Sequence, residues 1–183
     1  DLLATQLDAA EADRQYAHLV EDEALWADVR GRATESVGGL FALEDPARIE
    51  VAKDALGQWV DASLFGAPVR GRIDRTTEAA TWTVTDYKTG KVPPPRYVAA
   101  ALSALYTYAA ALAASHPRKR IPDQVELLYL LGPERIARPV ARPHLLEHAR
   151  TIGRTWTDVV TAHRAATYTA RTGPLCGWCA FAV

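Results

Sequence analysis

Asp74, Asp86 and Lys88 are the side chains of this 183-residue chain whose types and spacing could do chemistry together. They lie in the stretch 71–91, GRIDRTTEAATWTVTDYKTGK. Val69 to Arg75 alternates apolar and charged residues, Trp82 to Tyr87 is β-branched and aromatic, and Thr89-Gly90 reads as a turn. Both segments read as strands. Side chains two apart in a strand share a face, so Asp86 and Lys88 point the same way and Asp74 can sit opposite them on the paired strand. Two carboxylates and an ammonium at one sheet edge are costly to gather unless a cation or a substrate phosphate balances them. The plain alternative is a solvated hairpin whose charges face water.

The elements that must position these groups follow from periodicity. Helical spacing of apolar residues covers 2 to about 13 and about 22 to 43, the second ending at Glu44-Asp45-Pro46, with Gly38 and Gly39 weakening its last turns. Ile49 to Val51 and Gln58 to Leu64 read as strands, and Gly66-Ala67-Pro68 turns the chain into Val69–Arg75, giving a meander that ends at Tyr87. Val92-Pro93-Pro94-Pro95 is stiff and cannot belong to a central strand. An alanine-rich helix from about 96 to 115 follows, then a short apolar run, Val125 to Leu131, that suits a buried strand. Gly132-Pro133 turns it into an edge strand, Arg135 to Val140, and a last helix runs from about 144 to 168. The expected fold class is α/β, a mixed sheet of meander plus further strand flanked by helices. One domain over 1–183 is the economical division: a helical part at 1–45, a core at 47–168 and a cysteine-containing tail at 169–183.

Nearly half of the residues are apolar and 23% are charged, as in ordinary globular domains. No run approaches the roughly 20 consecutive apolar residues of a membrane span, and the N-terminus is acidic, which reads as cytoplasmic. The chain starts with Asp inside a helical pattern and reads as a fragment. A net charge of −1 argues against generic nucleic-acid binding, but the charge is segregated. Ser63 to Arg142 holds 12 Lys/Arg against 6 Asp/Glu, and the candidate site lies in this basic half. Such a surface beside carboxylates suits a polyanion. The loop His116-Pro117-Arg118-Lys119-Arg120 is either a solvated turn or a phosphate contact.

The string GRIDR, a short gap, and then VTDYKTGK resembles the core of the PD-(D/E)XK nucleases, specifically the RecB/AddB-like exonuclease branch. The resemblance implies a restriction-endonuclease-like fold, a DNA substrate, a role in repair or recombination often alongside a helicase, and a Mg²⁺ or Mn²⁺ ion. It places the metal on Asp74, Asp86 and the backbone carbonyl of Tyr87, with Lys88 completing the catalytic set. Hard divalent ions take oxygen ligands and keep several waters, so two carboxylates and a carbonyl suffice. They polarise a phosphoryl oxygen and acidify water, and Lys88 could activate that water or, as favoured here, neutralise transition-state charge. Arg70, Arg72 and Arg75 surround Asp74 and either contact phosphates or form edge salt bridges. Arg72 and Arg75, with Lys91 and Tyr108, are the candidate DNA contacts. Asp61 could reach the site as a third acid, although a surface strand carboxylate is the simpler reading.

Two features depart from the resembled pattern. The expected metal-ligand histidine is not matched by His18, the one histidine before Asp74, and would belong upstream of Asp1. The family's Gln-x-x-x-Tyr pair has Tyr108 here but Ala104 at the glutamine. Cys176 and Cys179, in CGWCAF, look like part of the iron–sulfur staple of AddB-like nucleases, which needs four cysteines where this chain has two. A single CxxC is by itself a weak signal, open to zinc ligation, redox chemistry or two half-buried thiols. The competing functions are a catalytically impaired nucleic-acid-binding module that keeps the fold, and a structural interaction domain.

Overall fold

The computed structural model describes residues 2–116, 120–170 and 172–179, residue 175 by its backbone alone. Three helices lead: α1 (Leu2–Ala12), α2 (Ala17–Val20) and α3 (Glu23–Leu43), the last capped by the Asp22 carboxylate accepting from the Leu25 N–H at 3.0 Å. The strands are β1 (Leu56–Leu64), β2 (Ala67–Glu78), β3 (Trp82–Lys88), β4 (Gln124–Tyr129) and β5 (Glu134–Pro139). Between β3 and β4 lie α4 (Val98–Ala101) and α5 (Ser103–Ser115), and α6 (Arg142–Arg164) follows β5.

The five strands form one sheet in chain order. β1–β2, β2–β3 and β4–β5 are antiparallel, whereas β3 and β4 are parallel and joined through α5. The expected α/β class with a mixed sheet is therefore what the chain forms. β4 is buried on both faces, which is why VELLYL carries almost no alternation. One face is covered by α5, whose Leu105, Ala109 and Ala111 are fully buried with Ile73, Val84, Val125 and Leu127. The run Pro95–Ser115 is apolar and long enough to cross a membrane, but here it supplies this packing face. On the other face α3 comes so close to the end of β4 that a Cβ on Gly39 would lie 1.9 Å from the Leu130 carbonyl oxygen.

Three expectations are corrected. Ile49–Val51 is not a strand: residues 49–53 are irregular and pairing with β2 begins at Leu56↔Arg75. The helix expected over 96–115 is interrupted, opening with a 3-10 turn at Pro95–Tyr97 and breaking at Leu102 between α4 and α5. The last helix begins at Arg142, because Pro143 fits a first turn, where its missing N–H costs nothing, and it ends at Arg164. Of the basic loop, residues 117–119 lie outside the described residues, and Arg120 pairs with Asp123 at 3.1 Å.

Candidate active site

The β2–β3 ladder ends at Arg75↔Thr85. Beyond it the Tyr87 N–H has no β2 backbone acceptor and donates instead to Asp74 Oδ2 at 2.9 Å. Trp82 and Lys88 turn their carbonyls to the β4 side, each accepting an N–H at 2.8 Å from Asp123 and Leu130. Strand alternation therefore sends the Tyr87 N–H and C=O to the opened β2 side. Asp86 and Lys88 share the α5 face, in register with Leu127 and Tyr129. Lys88 Nζ lies 2.6 Å from Asp86 Oδ2. The structure thus brings Asp74, Asp86, Lys88 and the Tyr87 backbone together at one opened strand end.

The electrostatics are those of a site short of positive charge. The Asp86 side chain retains only 15% of its exposure, while Lys88 retains 42% and reaches solvent. Burial pushes the Asp86 carboxyl above its ordinary range, and the negative charge of Asp74 adds to this, together outweighing the ammonium of Lys88. Burial pulls Lys88 down, but Asp86 and Asp74 outweigh it and hold the ammonium above its ordinary value. Asp86 Oδ2 is buried, and its contact among the described residues is the Lys88 ammonium. A buried carboxylate oxygen balanced by one ammonium, beside a second carboxylate and a turned carbonyl, fits a hard divalent cation. Among the described residues no three of His, Cys, Asp and Glu converge, so these three oxygen sources are what the described residues offer, and waters would complete the shell.

Behind the site lies a cluster that the sequence reading missed. On the far face of the sheet Arg75 makes a bidentate pair with Glu44, 2.6 and 2.9 Å, just past the end of α3. The Tyr87 hydroxyl donates to Glu44 Oε1 at 3.0 Å and accepts from Arg75 Nη1. Thr85 donates to Glu126 Oε1 at 2.8 Å, and Arg135 pairs with Glu126 Oε2 at 3.2 Å. The Glu44, Arg75 and Glu126 side chains are nearly inaccessible. Burial raises Glu44, but Arg75, Tyr87 and Arg135 hold it below its ordinary range, and the same burial with the neighbouring carboxylates pushes the Tyr87 hydroxyl up to about 12. The sequence held one signal for this: a glutamate within the apolar run 125–131 must find a partner if that run is buried.

The remaining candidates separate. Arg75 is corrected: at 5% exposure, with its guanidinium committed to Glu44, Tyr87 and Thr85, it is not available to a phosphate. Arg72 is exposed and donates from Nε to the Gly57 carbonyl at 3.1 Å, and Lys91 is exposed. Tyr108 is half-buried against Gly71, where a Cβ would fall 2.4 Å from its ring. Asp61 is exposed and faces Arg70 across β1–β2, well along the strand from Asp74. His18 is exposed on α2. Cys176 and Cys179 are free and exposed, the first in a 3-10 turn and the second just past it, Cys176 Sγ accepting from the Gly173 N–H at 3.1 Å.

A mixed sheet flanked by helices, with two carboxylates and a lysine at the splayed end of two central strands, defines an α/β protein of nuclease type. The sequence profile of the PD-(D/E)XK nuclease superfamily matches residues 1–183, and the chain belongs to that superfamily. No curated protein matches it. Among solved structures, the crystal structure of SSO0001 is similar over 97% of this chain and 91% of that chain, at 14% identity and a TM-score of 0.45.

Proposed function

We propose that this chain is a Mg²⁺- or Mn²⁺-dependent deoxyribonuclease of the RecB-like exonuclease type, acting in DNA repair or recombination in the cytoplasm, in company with a helicase. Membership of the superfamily carries the coarser part, a metal-dependent nuclease acting on nucleic acid. The observation that carries the site is the convergence of Asp74, Asp86 and Lys88 where the β2–β3 ladder opens, with Asp86 Oδ2 buried beside the Lys88 ammonium. Asp74, Asp86 and the Tyr87 carbonyl would hold the ion. When bound, it supplies Lewis-acid polarisation of the phosphoryl oxygen and acidifies water. Lys88, paired with Asp86, would neutralise charge developing on the phosphorus oxygens. Arg72 and Lys91, both exposed, would hold the DNA backbone. Tyr108 has the weaker claim, since its ring is spent on Gly71.

Cys176 and Cys179 do not by themselves fit a four-thiolate cluster, and no step passes through one. They would be half of such a site, its other ligands coming from outside residues 1–183.

A second reading is a nucleic-acid-binding module that has lost turnover. It is favoured by Ala104 at the glutamine position and by the want of a third convergent metal-ligand side chain among the described residues. Degradation of linear DNA that requires Mg²⁺ or Mn²⁺, and is lost in Asp86→Ala and Lys88→Ala, supports the nuclease. Salt-sensitive DNA binding that survives those substitutions, without cleavage by the unsubstituted chain, supports the binding module.

A further inference from the structure

The two residues that flank Asp86, and the one that follows Asp74, all point away from the site. Strand alternation sends Thr85, Tyr87 and Arg75 to the far face, and there all three meet one buried polar cluster. Its centre is Glu44. One Glu44 carboxylate takes both arms of Arg75 from β2 and the hydroxyl of Tyr87 from β3. The Arg75 guanidinium also lies over the Tyr87 ring, 5.3 Å from its centre. These contacts sit at the last hydrogen-bonded pair of the ladder, Arg75↔Thr85, just where backbone pairing no longer fixes the spacing of β2 and β3.

We infer that Glu44, Arg75 and Tyr87 are positioning residues, a staple on the back of the sheet that sets the separation of Asp74 and Asp86 and aims the Tyr87 backbone at the site. This rests on the reading of Asp74 and Asp86 as a divalent-cation site. The geometry is direct. The same residue, Tyr87, fastens its side chain to Glu44 at the back while its N–H holds Asp74 at the front. Rotating or withdrawing the ring moves the peptide that orients Asp74. Glu44 itself reaches the cluster from the end of α3, whose docking is fixed by the contact of Gly39 with Leu130. The helical N-terminal part thereby acts on the site from the back of the sheet. Residues one layer behind metal ligands control affinity because they fix ligand orientation, and their loss costs about 10- to 100-fold in metal affinity or activity.

Tyr87→Phe is the sharpest variant, since it removes one hydroxyl and keeps the ring, and Glu44→Gln is the second. Two quantities are read in the 183-residue chain, alongside thermal unfolding: hydrogen exchange of the residue-87 amide in metal-free protein, and Mn²⁺ affinity by calorimetry. The expected result for Tyr87→Phe is loss of protection at amide 87 and Mn²⁺ binding weakened about tenfold or more, with the folded state retained. A purely structural role would lower the unfolding temperature and leave both readings on the folded protein unchanged. Amide protection and Mn²⁺ affinity within about twofold of the unsubstituted chain, against the tenfold loss expected of an orienting group, overturn the inference. Unsubstituted protein that binds no Mn²⁺ overturns the reading of the metal site instead, and the amide exchange then decides the staple alone.

Discussion

The Tyr87 N–H donates to Asp74 Oδ2 at 2.9 Å, so a side chain of β2 replaces the backbone acceptor that the ladder no longer provides. The cost of this arrangement falls on Asp86, which is left buried near a second carboxylate. Its carboxyl is raised by burial and by Asp74. A carboxyl raised on folding favours the folded state while protonated, and that contribution is lost as the pH rises through its folded value. At neutral pH the charged Asp86 therefore opposes folding of the metal-free chain. Asp86→Asn should unfold at a higher temperature than the unsubstituted protein without metal, and should cleave DNA at least about 10²-fold more slowly, as when a single transition-state contact is removed. A scan by calorimetry and a linear-DNA assay check both halves.

Divalent cations should reverse that order. An ion that binds only the folded chain stabilises it by about 2.7 kcal/mol at a hundredfold excess over its dissociation constant. Addition of Mg²⁺ or Mn²⁺ should therefore raise the unfolding temperature of the unsubstituted chain, and chelation should return it. Asp86→Asn should show little response to either. An equal response in both proteins would place the bound ion elsewhere.

Glu44 should matter to stability in a pH-dependent way. The Arg75 guanidinium it pairs with is buried, so Glu44→Gln leaves a charge without its partner and should destabilise by about 3–5 kcal/mol. Arg75, Tyr87 and Arg135, acting against burial, hold the Glu44 carboxyl below its ordinary value of 4.5. A depressed carboxyl adds stability above its unfolded value, and the gain disappears as the pH falls through the folded one. Urea midpoints of the unsubstituted chain should thus decline, as the pH falls below 4.5, more steeply than those of Glu44→Gln, because only the former protonates Glu44.

What the sequence disclosed depended on whether the information was local. The β-branched runs, the turn signals and the DYK alternation are short-range, and they located the strands and set Asp86 and Lys88 on one face before any tertiary contact was known. Ile49–Val51 had the composition of a strand but found no neighbour, since pairing with β2 starts only at Leu56. Arg75 looked like another basic residue of the site because its period in β2 says which face it occupies but not that Glu44 waits there, 31 residues earlier in the chain. The staple was illegible for that reason. The cluster it belongs to draws its members from the end of α3, from β2 and β3, and from β4 and β5, and no spacing within one element encodes their meeting.

Exposed cations should separate DNA holding from catalysis. Arg72 and Lys91 are exposed and lie outside the buried staple, whereas Arg75 is inside it. Alanine at either exposed position should weaken DNA binding across sequences and reduce the slope of log affinity against log salt by about one unit each, with the thermal stability unchanged. Arg75→Ala should instead unfold or loosen the chain, with no specific change in the salt slope of whatever remains folded.

Gly38 and Gly39 adjoin in α3 and should respond in opposite directions to the same change. Nothing lies within 4 Å of a Cβ at Gly38, so alanine there adds helix propensity alone. Gly38→Ala should stabilise by up to about 1 kcal/mol. At Gly39 the new Cβ would sit 1.9 Å from a backbone oxygen of Leu130, which is fixed by its own N–H donating to the Lys88 carbonyl at 2.8 Å. Backbone cannot rotate aside as a side chain can, so α3 must shift outward, carrying Glu44 with it. Gly39→Ala should therefore destabilise by about 1–3 kcal/mol, as overpacking does, and also weaken Mn²⁺ binding. The chain Leu130–Lys88 on one side and α3–Glu44–Tyr87 on the other ties both losses to a single displaced contact. Melting curves of the two variants test the sign at each position, and a Gly39→Ala protein with unaltered Mn²⁺ affinity would show that helix placement and site geometry are independent.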